Sequence, residues 1–490
     1  MKHYWPIYLC CLILAGLFLT LFSSTTSFMY DNIENLDSNF YMVIGKYWAE
    51  GHLPYVELWD QKGPVVHFAN MLGYMICGSR HGIFLIQMLC LSIAFYYCFC
   101  FFREKFSMWF SVFLTIVASF ALLNDYSTVG NNVEEYLLPL LIPAFYYLYK
   151  WIGSVIKAKG DYKHPALYAG LYGMVLSFSL LTRLTNALGV CGGVAFVSVF
   201  LMIKSEWKNL FQNIVAFIGG FLLIFLPFAL YFWSHDALDD MWYATFTYNT
   251  EYIKNAPELD PFSLGQWVYM LKSAINGIIL FFVSIMVILW NPQRRIAGWL
   301  WLTIDVASMA WLMTSNGFNH YFIITLPYLC ISMNEIKELY DKYRLPLLKQ
   351  AVLVYSFVML LACSYEPVGA FKLYKSTNAN LVFYDQLKKD IGDGGTNSFV
   401  AYNTSPYLYL YMDVKPAVRF FCYQDNLIAF SNTLKEKVRT AFMENKPHWV
   451  LVNHKATNIE DIIALNYSKH KEYKNGNILY LRCSTSKNNE

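Results

Sequence analysis

Asp37-Ser38-Asn39-Phe40-Tyr41, then Gly45, Gly51, Glu57 and Asp60-Gln61-Lys62-Gly63-Pro64, form an unusual concentration of reactive side chains between residues 23 and 81. Carboxylates beside a lysine could position a phosphate, activate a hydroxyl, or hold a divalent cation through oxygen ligands. The bland reading of the same residues is a solvated loop. A lone carboxylate at Asp37 is a poor cation site unless Asp60, Glu57 or phosphate oxygens complete it, so metal use stays open.

Three more positions combine charge with an apolar neighbourhood. Asn131-Asn132-Val133-Glu134-Glu135 opens an apolar run, where a glutamate could face a cavity or serve the helix start and its dipole. Glu134 is marginally the better candidate, and spacing leaves the choice between the two open. Arg183, with Thr182, Thr185 and Asn186, sits between two apolar runs almost without a loop, so its guanidinium must reach water, phosphate or a carboxylate. It could snorkel to the surface or grip a phosphate in bidentate fashion. His320, in Asn319-His320-Tyr321, could cap a helix or donate to a departing phosphate, and His67 poses the same choice.

The elements that carry these residues follow from composition. Of 490 residues, 57% are hydrophobic and only 14% charged, which makes lipid rather than water the main solvent. A net charge of +3, no long basic run and no zinc-like cysteine spacing exclude a nucleic-acid partner. Apolar runs at 7–22, 82–102, 107–123, 136–152, 165–181, 184–203, 214–233, 274–290, 296–314, 321–333 and 351–363 predict an α-helical polytopic membrane protein of about 11 transmembrane helices. The run at 7–22 lacks a convincing cleavage site and reads as an uncleaved first span.

Lysine and arginine crowd one set of connections, from Lys2 through Arg103, Lys150, Lys204 and Arg294 to Lys349, and are sparse in the other. This predicts a cytoplasmic N-terminus, a first outer loop at about 23–81 and an outer C-terminus. After Tyr365 the pattern changes to helices at 380–391 and 426–444 with strands at 398–402, 449–453 and 478–482. The predicted domains are therefore a transmembrane domain, 1–365, and a small extracytoplasmic α/β domain, 366–490. Of the 11 cysteines only Cys422 and Cys483 fall in the polar tail, and spacing leaves a disulfide between them open. The aromatic segment from Ser234 to Trp267 could be a membrane-interface belt or a strip over a lipid-facing groove.

Asp37 near the end of the first run, the Gly51-His52-Leu53-Pro54-Tyr55 turn and Asp60-Gln61-Lys62-Gly63-Pro64 resemble the GT-C class of membrane glycosyltransferases. The nearest branch is similar to bacterial relatives of protein O-mannosyltransferases and lipid A aminoarabinose transferases, the family 39 type. In that class an acidic residue of the first outer loop is essential for transfer and a Lys-Pro-containing segment follows. Ser38 stands where a second acid commonly follows the first, with Glu34 nearby as a substitute.

The resemblance implies transfer of a hexosyl or pentosyl group from a polyprenyl-phosphate carrier to an envelope lipid, glycan or protein on the outer face of the plasma membrane. Asp37 would take the acceptor's proton, with inversion, while Lys62 and Arg183 stabilise the leaving phosphate; Asp60, Glu134 and His320 complete the candidate set. No nucleotide is required, consistent with the absence of a nucleotide-binding glycine loop. The alternative class is a flippase, transporter or polymerase of lipid-linked glycans. Against it, the polar residues gather at one membrane face and no repeated halves are evident.

Overall fold

The computed structural model describes residues 5–30, 35–119, 130–157, 162–255, 264–313, 318–343, 379–392, 398–453 and 456–483. Among the described residues, four helices are long and apolar enough to cross a membrane: Trp5–Phe22, Arg80–Arg103, Leu184–Ile203 and Trp207–Ser234. The helices Ile275–Trp290 and Pro292–Leu312 form a further apolar pair that turns by 118° at its break. Among the described residues, length and apolarity alone bring out fewer spans than the expected count of about 11. Met108–Val117 and Ala166–Leu180 are shorter than the roughly 20 residues that span hydrocarbon, and Val133–Lys157 carries Glu134, Glu135 and Lys150. The expected run at 351–363 and Glu34 lie outside the described residues.

The Trp207–Ser234 helix states its solvent directly. Phe211, Ile214, Val215, Ile218, Leu222, Leu223, Leu226 and Leu230 are all exposed, a row that water would penalise and lipid accepts. The chain is a membrane protein. The predicted run at 321–333 is displaced: a 3₁₀ turn, Asn319–Thr325, precedes an α-helix from Leu326 to Tyr343. Pro327 lacks the N–H that a continuing helix would need and suits a first turn.

By compactness the chain forms two units. One gathers residues 1–30, 84–230 and 259–375 around buried aromatics such as Phe95, Trp151, Trp301 and Tyr328. At one end of it Arg294 grips Glu335 through Nε and Nη2 at 2.9 and 2.6 Å, with the Trp301 indole also donating to Glu335 at 3.1 Å. A buried arginine is tolerable there because its charge and its donors are matched.

The other unit joins residues 31–83 and 231–258 to residues 376–490. Its sheet has the order β1-β2-β4-β3, with β1 (Phe399–Tyr402) parallel to β2 (Trp449–Asn453), and β4 (Asn477–Arg482) antiparallel to both β2 and β3 (Tyr467–Glu472). The polar edge strand β3 has no apolar alternation to announce it. The expected helix at 426–444 is divided into Gln424–Ile428 and Asn432–Asn445, because the Ser431 hydroxyl accepts from Leu434 N–H and starts a new helix. Cys422 and Cys483 are both free thiols.

The stretch expected as an extended outer loop contains two helices, Leu36–Ala49 and Pro64–Cys77. They pack so closely that a Cβ on Gly45 would stand 2.5 Å from Asn70 Cβ. Compact grouping therefore cuts across the expected boundary at 365, since this helical pair belongs with the α/β elements. Within that unit Trp59 N–H donates to Arg419 O at 2.9 Å, and Phe40 and Trp59 lie against Phe421 and Phe420.

Candidate active site

Asp37 lies half-buried in the first turn of the Leu36–Ala49 helix. The helix is capped by Asn35, whose side chain accepts from Ser38 N–H at 3.0 Å, while Asn39 Oδ1 accepts from Asn35 N–H at 2.7 Å. Two local residues thus satisfy the helix start, and the Asp37 carboxylate sits at its positive end without being the cap.

Lys62 is placed by chain punctuation. Gly63 supplies the extended N-cap and Pro64 the first helical residue, so the helix begins immediately after the lysine. Its backbone is held from several directions: Tyr55 Oη donates to Lys62 O at 2.8 Å, and Asn249 Nδ2 donates to Gln61 O at 2.8 Å. Tyr55 itself is fully buried with φ +69°, an unusual conformation for a bulky residue that this packing must sustain.

Asp60 is buried beside them, with Oδ1 accepting from Gln61 N–H at 2.7 Å. Burial pushes its carboxyl up to about 7, against the Lys62 ammonium, while the charge of Asp37 adds to the rise. Asp37, Asp60 and Lys62 therefore share one electrostatic neighbourhood. His67, fully buried, places Nε2 at 3.4 Å from Asp60 Oδ2. That separation is an ion pair only if the imidazole is protonated, and burial opposes this, driving His67 down to about 3 despite a pull upward from the Lys62 carbonyl.

Glu57 is committed elsewhere. It accepts from Lys415 Nζ at 2.8 Å and from Leu53 N–H at 3.0 Å, and lies 2.8 Å from His52 Nδ1. Burial alone would raise its carboxyl, but these donors hold it at about 2. Among the described residues no group of three or more His, Cys, Asp or Glu side chains is arranged to hold a metal ion.

The other candidates meet in the first-described unit. Arg183 Nη1 lies 3.5 Å from Glu134 Oε1, Asn186 Nδ2 donates to the same oxygen at 3.3 Å, and the guanidinium caps the Tyr321 ring 3.1 Å from its centroid. His320 stands edge-on to Tyr321 at 4.5 Å. Glu134 is 1% exposed and Arg183 is 25% exposed, so the arginine carries the accessible end of the pair. The adjacent Glu135 does the structural work, accepting from Asn132 Nδ2 at 2.9 Å and Gln87 Nε2 at 2.7 Å.

The aromatic segment is mostly packing. Tyr248 donates to Leu427 O at 2.8 Å and Tyr252 packs on Phe430, whereas Trp242 is exposed. Asn249 escaped the sequence reading, and Tyr55, Asn186 and Tyr321 stood in its motifs without a role of their own, because only distant partners give them one. Pro64 and Gly63 were the legible signal for Lys62.

A family model described as competence-induced protein Ccs4 N-terminal domain matches residues 5–346. No curated protein matches the sequence. The crystal structure of ArnT from Cupriavidus metallidurans bound to undecaprenyl phosphate is similar at a TM-score of 0.53 and 10% identity, covering 99% of both chains. The same protein in the apo state aligns at 0.57 and 11% identity, covering 97% of both chains. At such identity the likeness establishes the fold.

Proposed function

The chain belongs to the family of the competence-induced protein Ccs4 N-terminal domain, and from this premise and its ArnT-like fold we propose that it is a membrane glycosyltransferase using a polyprenyl-phosphate-linked sugar. The observation that carries the reading is the meeting of Asp37, Asp60 and Lys62 at the starts of two packed helices, in a fold whose relative is solved with undecaprenyl phosphate bound.

In the proposed reaction the acceptor's hydroxyl oxygen attacks the anomeric carbon while Asp37 takes the hydroxyl proton. The bond from that carbon to the carrier phosphate oxygen breaks, and the phosphate leaves with the bonding pair. Attack opposite the leaving group inverts the anomeric centre. Lys62 stabilises charge growing on the phosphate, its position fixed by the Tyr55 and Asn249 hydrogen bonds to the backbone around it. Arg183, whose fork Glu134 and Tyr321 already orient, is proposed on its own as a cation that recognises an anionic group. The acceptor class is an envelope lipid, glycan or protein, reached on the outer face of the plasma membrane.

Purified protein supplied with a radiolabelled polyprenyl-phosphate sugar and a membrane extract should move label from the carrier to a second product. Binding or translocation of the carrier with its sugar still attached would refute transfer and support the transporter class instead.

A further inference from the structure

Asp60 Oδ2 and both ring nitrogens of His67 are buried without a geometrically sound hydrogen-bond partner, yet Oδ2 and Nε2 stand only 3.4 Å apart. Desolvated polar atoms left in this state are costly, and a proton placed between the two groups satisfies one atom on each. The groups facing the pair come from every surrounding element: Asp37 and Tyr41 on one helix, Tyr55 and Lys62 on the intervening loop, Tyr248, and Cys422. Burial holds the hydroxyls of Tyr55 and Tyr248 and the Cys422 thiol above their ordinary values, so they do not titrate near neutrality. Among the described residues, Asp37 and Lys62 are the charged groups that act on the pair, with opposite signs.

We propose that Asp60 and His67 hold a single proton between them, as a net-neutral buried pair, and that this pair is the positioning device for the Lys62 segment. Deepening the transfer reading above, it rests on that reading only for the role of Lys62. His67 lies within the electrostatic reach of the Lys62 backbone, and Asp60 Oδ1 accepts from Gln61 N–H, so the pair sits against both peptide units that orient the lysine. Neutrality matters because an uncompensated carboxylate here would compete with the carrier phosphate for the Lys62 ammonium.

Proton counting gives a signature independent of activity. Between the ordinary values of 3.8 for Asp60 and 6.5 for His67, the unfolded chain carries one proton on this pair, on the imidazole. The folded pair also carries one, so in the wild type it contributes no pH slope to stability. His67→Gln leaves a folded carboxyl that binds a proton the unfolded chain has lost, so the unfolding constant should rise about tenfold per pH unit between about pH 4 and about pH 7. Asp60→Asn leaves a folded neutral imidazole against an unfolded protonated one. Its unfolding constant should fall about tenfold per unit between about pH 3 and about pH 6.5.

The experiment measures unfolding of the full-length protein in detergent across this range for wild type, both single variants and the double variant. Opposite slopes in the single variants, each relative to wild type, and none in the double variant are expected. Single variants that run parallel to wild type would overturn the shared proton. If His67→Gln does not fold, the near-isosteric Asp60→Asn decides alone. For positioning, His67→Gln should raise the KM for the polyprenyl-phosphate sugar several-fold, more at alkaline than at acidic pH, with kcat little changed; an unchanged KM refutes that role. A wild type without transfer would refute the function above while the unfolding slopes still decide the proton.

Discussion

Asp37→Asn changes basicity without removing a cap, because Asn35 supplies the capping oxygen of that helix. If Asp37 is the base, turnover at saturating lipid-linked sugar should fall on the order of 10² to 10⁴. Asp60→Asn serves as the carboxylate control, and turnover of Asp37→Asn within a few-fold of wild type would remove it from the chemistry. Arg183 requires a different substitution. Alanine would strand Glu134, which is buried with Oε2 already unpartnered, and losing one member of a buried pair typically costs about 3–5 kcal/mol. Arg183→Lys keeps the charge while losing the planar fork, so it should weaken donor use with the fold preserved. Donor KM equal to wild type in Arg183→Lys and in Lys62→Ala would exclude both cations from phosphate recognition.

At the scale of elements, the candidate site depends on the approach of the Leu36–Ala49 and Pro64–Cys77 helices at Gly45. Any Cβ there collides with Asn70 and with Met71 N at 2.8 Å, which is backbone and cannot rotate away. Gly45→Val should therefore separate the helices, destabilise the unit by about 1–3 kcal/mol and reduce turnover together with the unfolding midpoint. Gly153 is the matched control, since nothing lies within 4 Å of its added Cβ. Gly153→Ala should leave turnover unchanged and hold or raise the midpoint, as expected for alanine inside a helix. Equal midpoints for Gly45→Val and wild type would show that the helix pair tolerates separation.

For the whole molecule, the lysine and arginine asymmetry predicts that the N-terminus is cytoplasmic and the α/β elements are external. Reporter fusions after Ser398 should be active only as an exported enzyme; activity only as a cytoplasmic enzyme would reverse the orientation and the face on which transfer is proposed. The sequence by itself determined that the chain is a membrane protein, because solvation of an apolar run is local and needs no knowledge of neighbours. It also carried three strands of the sheet, since runs such as Trp449–Asn453 act through nearest residues. Tertiary structure alone separated Glu134 from Glu135: adjacent and chemically equal, they point to Arg183 and to Gln87, residues 49 and 48 positions away. It alone turned an expected loop into a packed helical pair and set His67 against Asp60. Which buried charges face each other depends on how helices distant in sequence pack, and the energy of that choice is spread over contacts that no local pattern encodes.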